Sequence, residues 1–436
     1  MTTAESGRTR ALPALTTALL AGRDRVRRAS RVNAVFAGAA GLGALHWLDA
    51  AFVDSWHGES ARRGAPAAMV AVLFAAAAAL LWPRLPRGPR ALLAFVAGLI
   101  ALVGGGLSVW AVSAGDSEGG AWSGLLLVPA GVAMVVCAAR ALRGAPERRW
   151  WERWGRRVVG ALTVLVSVMW LVMPVGVALY ATGKPRTPVS AGALGIPHQD
   201  VSFRSTDGLR LAGWYVPSRN GAAIVLVHGG GGNRAGAVLH ARMLARHGYG
   251  VLLYDERGRG ESQGAPDAIG WTWRRDVAGA IAWLKHRPEV DAQKIGGLGL
   301  STGAEALVQA AAQRGDLHAV VADGVEARNL PEAARVADPT DLPYWAVTYA
   351  ATRVLTATAP APDLGRLVGN LRAPTLLIAA GRDQEARFGR IYAQRSHGRA
   401  QLWPVPDADH TQALHVHPTA YDARVSRFFN RALRPR

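Results

Sequence analysis

Ile295-Gly296-Gly297-Leu298-Gly299-Leu300-Ser301-Thr302-Gly303-Ala304 decides how the rest of this chain folds. The apolar run from Ile295 to Leu298 reads as a buried strand, and the alanine-rich stretch from Ala304 to Ala312 reads as a helix. Between them stands Gly-x-Ser-x-Gly. Such a pentapeptide forces a sharp turn in which only small neighbours fit, and the serine hydroxyl projects over the sheet edge. A helix that begins at Thr302 aims its first amides at the same spot and favours developing negative charge there. The pentapeptide alone is only moderately specific. Its place behind a strand gives it weight.

Outward from this elbow, strand and helix signals alternate. Strands are expected at 200–204, 209–216, 222–227, 250–255, 294–299, 318–323, 374–380 and 400–405, and helices at 235–247, 274–286, 302–313, 384–395 and 418–432. Two early strands joined by Ser205-Thr206-Asp207-Gly208, then repeated strand–helix units with fully apolar strands, predict a mostly parallel sheet covered on both faces.

Chemistry in such sheets gathers at the carboxyl ends of the strands. Those ends read His228-Gly229-Gly230-Gly231-Gly232-Asn233, then Asp255-Glu256-Arg257-Gly258-Arg259-Gly260-Glu261-Ser262, then the elbow. Gly381-Arg382-Asp383 and Asp407-Ala408-Asp409-His410 follow. The glycine run lets the backbone turn amides toward an anion. Serine, acid and histidine come in the order this architecture uses.

These residues resemble the α/β-hydrolase superfamily, in its esterase-like and serine-aminopeptidase-like branch. The resemblance runs from about 198 to 430. It rests on Asp207-Gly208-Leu209 with Gly213-Trp214, on His228-Gly229, on Asp255-x-Arg257-Gly258-x-Gly260-x-Ser262, and on the elbow. It implies an α/β-hydrolase fold, with a mostly parallel eight-stranded sheet and helices on both faces. It also implies Ser301 as nucleophile, His410 as general base and Asp383 as the acid that orients the imidazole. The oxyanion would be held by the amides of Thr302 and Gly230, with Gly231 a second candidate. One such donor is worth about 3–4 kcal/mol in the transition state.

Each role has a rival. Asp323, ending the preceding strand, is the alternative acid. His415 and His417 compete with His410, while Asp407 and Asp409 sit too close to it in sequence to orient it easily. His228 reads as support for the glycine loop, and Arg257 as the partner of an acid such as Asp276. The glycine run is no nucleotide site: no Gly-Lys-Ser/Thr is present, and Gly296-Gly297-Leu298-Gly299 lacks dinucleotide spacing. No His/Asp/Glu set stands at metal-ligand spacing in the sequence, so no cofactor or metal is expected.

The first 183 residues are of another kind. Segments at about 32–54, 65–83, 91–113, 121–141 and 157–181 are long enough to cross a bilayer, predicting an all-α transmembrane bundle of about five helices. Arginines crowd the segment before the first span, the second connection (Arg84, Arg87, Arg90) and the fourth (Arg140, Arg143, Arg148, Arg149, Arg153, Arg156, Arg157). The first connection holds only Arg62 and Arg63, and the third has Asp116 and Glu118 with no basic residue. This asymmetry puts the N-terminus in the cytoplasm and, after an odd number of spans, the catalytic half outside. The net charge of +19 follows the membrane topology and arginine usage, and no nucleic-acid partner is expected. The single cysteine, Cys137, excludes an intramolecular disulfide.

The expected division is a basic N-terminus over 1–31, a membrane region over 32–183, a linker over 184–197 and a hydrolase domain over 198–436. Residues 325–370 form a lid insertion. Its run Leu342 to Ala350, with Trp271 and Trp273, reads either as an apolar acyl pocket or as a packed helix closing the core. The expected activity is that of a membrane-anchored serine hydrolase acting on carboxylic esters of small or lipid-like acyl substrates. A peptidase or acyltransferase with the same triad is the second reading. A catalytically silent extracellular binding module is the reading from another class. Oligomeric state is not legible.

Overall fold

The structure, a computed structural model, describes residues 8–142, 149–190, 192–267, 269–381 and 384–433. Arg143 and Arg148 of the fourth connection lie outside the described residues.

Eight strands form one sheet: β1 (Gln199–Arg204), β2 (Arg210–Val216), β3 (Ala223–Val227), β4 (Gly250–Tyr254), β5 (Ile295–Leu300), β6 (Ala319–Asp323), β7 (Thr375–Ala380) and β8 (Ala400–Val405). Their order is β1-β2-β4-β3-β5-β6-β7-β8. β2 is antiparallel to both of its neighbours, β1 and β4, and every other pairing is parallel. The central strands are buried along their whole length, which is why they read as unbroken apolar runs. Successive side chains point to opposite faces: Val225 and Val227 join one core with Leu307 and Phe388, while Ile224 and Leu226 join the other with Tyr421 and Phe429.

Five helices in the N-terminal half are long and apolar enough to cross a membrane, counted among the described residues. They are α1 (Arg8–Phe52), α2 (Ala61–Leu81), α3 (Arg87–Ser113), α4 (Leu127–Leu142, entered through a short turn at Ala121–Gly124) and α5 (Trp150–Gly183, with a π-turn at Val168–Val172). Six longer helices belong to the sheet half: α6 (Val238–Arg246), α7 (Arg274–Leu284), α8 (Thr302–Arg314), α9 (Leu342–Thr356), α10 (Glu385–Arg395) and α11 (Pro418–Ala432).

The two halves are fastened along one end of the helices. The connection after α1 meets the sheet half where Gly264 N–H donates to the His57 carbonyl at 2.9 Å and Ala265 N–H donates to Glu59 at 3.3 Å. The connection after α3 does so through Arg186, whose amide donates to Asp116 and whose guanidinium donates to Glu118, each at 3.0 Å. The stretch 184–197 is irregular, as expected of a linker, yet it is strapped down. Arg242 Nε donates to the Leu194 carbonyl at 2.7 Å, and the Leu194 side chain is wholly buried. Lys184 Nζ donates to the carbonyl of Gly231, in the glycine run.

The expected lid is mainly α9. It packs against α5 and α2, so it is wedged between the two halves. Trp170, thirteen residues before the end of α5, donates its indole N–H to the Thr340 carbonyl at 3.2 Å, just ahead of α9. Thr348, Thr352 and Thr356 lie buried on α9, and each hydroxyl donates to the carbonyl four residues back, at 2.8–3.0 Å. Their polarity is thereby satisfied within the helix.

Candidate active site

Ser301 stands between β5 and α8 with φ 52° and ψ −125°, a conformation that side-chain-bearing residues avoid. Such strain costs about 1–3 kcal/mol and persists where its surroundings enforce it. The flanking glycines show how. A Cβ on Gly299 would fall 2.6 Å from the Ala304 nitrogen, and one on Gly303 would fall 2.5 Å from the His228 carbonyl oxygen. The Ser301 amide donates to the Asp323 carbonyl at 2.7 Å, which ties the elbow to the end of β6.

His410, in the loop between β8 and α11, places Nε2 2.9 Å from Ser301 Oγ. Its Nδ1 bonds the carboxylate of Glu385 at the start of α10. Glu385 is fully buried, and its second oxygen accepts the Ala380 amide at 3.0 Å. The acid facing the imidazole is therefore Glu385. The expectation had been Asp383, which lies outside the described residues. The side chain two residues further on, in the first turn of α10, is the one aimed at the ring. The signal was available, since the expected helix over 384–395 opens with a glutamate and either acid suits this role.

The electrostatics fit a base that becomes a cation. The hydrogen bond that His410 Nδ1–H donates to Glu385 raises the His410 pKa to about 9 against the opposing effect of burial, and the charges of Glu385, Glu326 and Asp323 add to the rise. Potential ligand atoms of Glu326, Glu385 and His410 lie within 4.8 Å of one another, a set that chain spacing does not reveal. A carboxylate pair beside an imidazole stabilises the imidazolium by the same attraction that would draw a cation.

The rivals fall elsewhere. Asp323 is buried and accepts from the Tyr421 hydroxyl at 3.0 Å, and desolvation pushes its pKa up to about 7. His417 pairs with Asp407 at 2.9 Å, on the loop's outer side. His228 supports the glycine run: its ring N–H donates to the Gly229 carbonyl at 2.8 Å, and its other nitrogen accepts the Glu256 amide at 3.2 Å. Burial lowers its pKa to about 4, so it is neutral. Arg257 holds Asp276 through Nε at 3.0 Å and Asp207 through Nη1 at 2.9 Å, pinning its loop to the first turn of the sheet.

The glycine run and the helix start both border Ser301. A Cβ on Gly229 would lie 3.4 Å from Ser301 Cβ, Gly230 follows on the exposed side, and Thr302 opens α8 directly after Ser301. Trp271, Trp345 and Tyr349 form the expected aromatic group, with Trp271 and Tyr349 ring centres 6.1 Å apart. Trp273 is not part of it. It sits in the main core against His228, at 5.6 Å between rings. Behind the elbow lies a charged network that sequence reading missed. Buried Arg328 reaches Glu305 at 3.4 Å, Gln309 at 2.6 Å and the Gly270 carbonyl at 2.6 Å, and its amide donates to Glu332 at 2.7 Å.

Comparison with known proteins bears on this geometry. Residues 215–327 match the family described as X-Pro dipeptidyl-peptidase (S15 family), a stretch that holds the glycine run and the elbow and ends before Glu385 and His410. The chain has the mostly parallel eight-stranded sheet with flanking helices of the α/β-hydrolase fold. An uncharacterized protein of Mycobacterium tuberculosis is 36% identical to this chain over 134 residues, 29% of this chain and 46% of the relative. The chain thus spans less than half of that relative. YfhR of Salmonella typhi, also uncharacterized, is 24% identical over 288 residues, covering 59% of this chain and 90% of its own length. A solved esterase of Pyrococcus furiosus is similar with a TM-score of 0.48 at 22% identity, covering 57% of this chain and 97% of the esterase.

Proposed function

We propose that this hydrolase is a membrane-anchored serine enzyme that cleaves carboxylic esters through a covalent acyl-enzyme. The observation that carries the reading is the 2.9 Å approach of His410 Nε2 to a strained Ser301 Oγ, with Glu385 on the far ring nitrogen. Ser301 Oγ attacks the acyl carbon as its proton passes to His410 Nε2. Glu385 holds the ring tautomer and stabilises the imidazolium. The backbone amides of Gly230 and Thr302 receive the oxyanion. His410 then gives its proton to the departing alkoxide, and water, activated by the same imidazole, releases the acid.

The catalytic half is placed outside the cell. This reading is supported by the arginine asymmetry of the connections and by the docking of the sheet half on the arginine-poor ones, near His57 and Asp116. The substrate class is a small or lipid-like ester, and no nucleic acid is involved. A peptidase is the second reading, favoured by the match to the X-Pro dipeptidyl-peptidase family. Purified full-length protein assayed on p-nitrophenyl butyrate and on an X-Pro aminocoumarin amide separates the two. Faster turnover of the ester, lost in Ser301→Ala, supports the proposal. Turnover of the amide alone supports the peptidase.

A further inference from the structure

α9 carries two distinct faces. Tyr349 turns toward Trp271 and donates its hydroxyl to the Ala327 carbonyl at 3.2 Å, in the sheet half. Val347, Ala350, Ala351, Val354 and Leu355 recur at the spacing of one helical stripe and border a cavity of about 630 Å³. Its other walls come from all five N-terminal helices. That volume lies in the range of sites for small organic ligands.

The cavity is graded along its length. Its deep end is apolar, with Ala39, Phe74, Ala97 and Met134. Its polar lining is gathered at the end facing the sheet half, where Glu59 pairs with Arg63 at 3.5 Å and His46 meets Ser123 at 3.1 Å. Along α2 the lining runs from Arg63 to Phe74, about 16 Å of helix. A long narrow space, apolar at one end and polar at the other, matches an extended hydrocarbon chain with a polar group at one terminus.

The polar end adjoins the loop that follows β4. Arg63 donates to the Pro266 carbonyl at 3.1 Å, and Glu59 accepts from Ala265 at 3.3 Å. A few residues on, a Cβ on Gly270 would lie 2.3 Å from Thr302 Cγ2, beside the nucleophile.

We propose that this cavity binds the acyl chain of a membrane amphiphile, with the chain against Phe74 and Met134 and the ester-bearing end beside Glu59 and Arg63. The catalytic consequence rests on the ester-hydrolase reading above; the binding itself does not. The helical bundle is then part of the substrate site as well as an anchor, and α9 is the wall shared by the two halves.

Binding is tested without catalysis. Full-length Ser301→Ala protein in phosphatidylcholine nanodiscs is photolabelled with palmitic acid bearing a terminal diazirine, and the labelled peptides are mapped. Labelling on the α9 stripe that excess palmitate suppresses, and that Ala71→Trp or Ala351→Trp abolishes, supports the proposal. Labelling of α9 that neither competitor nor variant changes overturns it. With Ser301 intact, the ratio of kcat/KM on p-nitrophenyl palmitate to that on the butyrate should fall about tenfold in both variants, as if two methylenes were withdrawn from an apolar site. An unchanged ratio in both overturns the proposal as well. Absence of esterase activity in the unaltered protein would strike the proposed function and leave the labelling result standing.

Discussion

Glu385 and His410 share a hydrogen bond through a carboxylate oxygen and Nδ1, and the opposite ring nitrogen faces Ser301. The acid comes from the first turn of α10, so the helix itself fixes where the imidazole points. Glu385→Gln should lower kcat about ten-thousand-fold, the usual result of leaving the histidine in the wrong tautomer. Asp383→Asn should change it less than about threefold, as expected of a residue with no part in orienting the imidazole. Steady-state kinetics on p-nitrophenyl butyrate decide between the acids, and the reverse ranking would restore Asp383 to the role.

The charge of Glu385 also sets a pH dependence. A base must be neutral to accept the serine proton, and His410 is held up to about 9, so kcat/KM should rise with pH and level off above about 9. In Glu385→Gln the limb should move down toward the ordinary imidazole value, about 6.5. Stability runs the other way. The raised pKa contributes fully below the unfolded imidazole value and is lost as pH climbs through about 9. Superimposable pH profiles for the two proteins would show that Glu385 does not control the ring.

At the elbow, sterics give a paired test. Gly303→Ala forces a Cβ to 2.5 Å from the His228 carbonyl and should cost at least the 1–3 kcal/mol typical of overpacking, roughly, together with most of the activity. Gly232→Ala, whose Cβ meets nothing nearer than 3.9 Å, should leave thermal stability unchanged. Equal thermal shifts in the two variants would contradict this account of the turn.

Arg328 is wholly buried between Glu305 and Glu332. Burial already pushes Glu305 up to about 8 and Glu332 up to about 7, so neither carboxylate can lose its cation without consequence. Arg328→Met should destabilise the protein by about 3–5 kcal/mol, the cost of leaving a buried charge unpaired. Thermal unfolding in detergent checks this, and an unchanged midpoint would refute it.

Lys184 ends the helical half and holds the Gly231 carbonyl. Lys184→Met should loosen the glycine run and lower kcat about tenfold or more, since small misplacements of transition-state donors are costly. Its binding of short esters should change little. A pure rise in KM would mean that the contact serves substrate binding instead.

Much of this was legible in the chain. Strand limits such as Ala223–Val227 and Thr375–Ala380 follow from apolar runs bounded by turns, because strands buried on both faces tolerate little polar interruption. Ser301 and His410 stood out because each follows the carboxyl end of a strand. Glu385 did not, since the loop before it offers Asp383 first and only the helical turn decides which carboxylate faces the ring. Arg328 and Glu305 carry no signal in the chain, because tertiary packing alone buries them together. The aromatic face, read either as an acyl pocket or as a packed helix, is packed against Trp271. α9 closes a core on its Tyr349 face and borders a cavity on its Ala351 face.

The central claim is that Ser301 is an activated nucleophile. The most direct measurement is labelling of the full-length protein with a fluorophosphonate probe, followed by mass-spectrometric mapping of the adduct. The account expects a single adduct on the peptide containing Ser301, absent in Ser301→Ala and strongly slowed in His410→Ala. An adduct that persists in Ser301→Ala, or that maps to another residue, would contradict it.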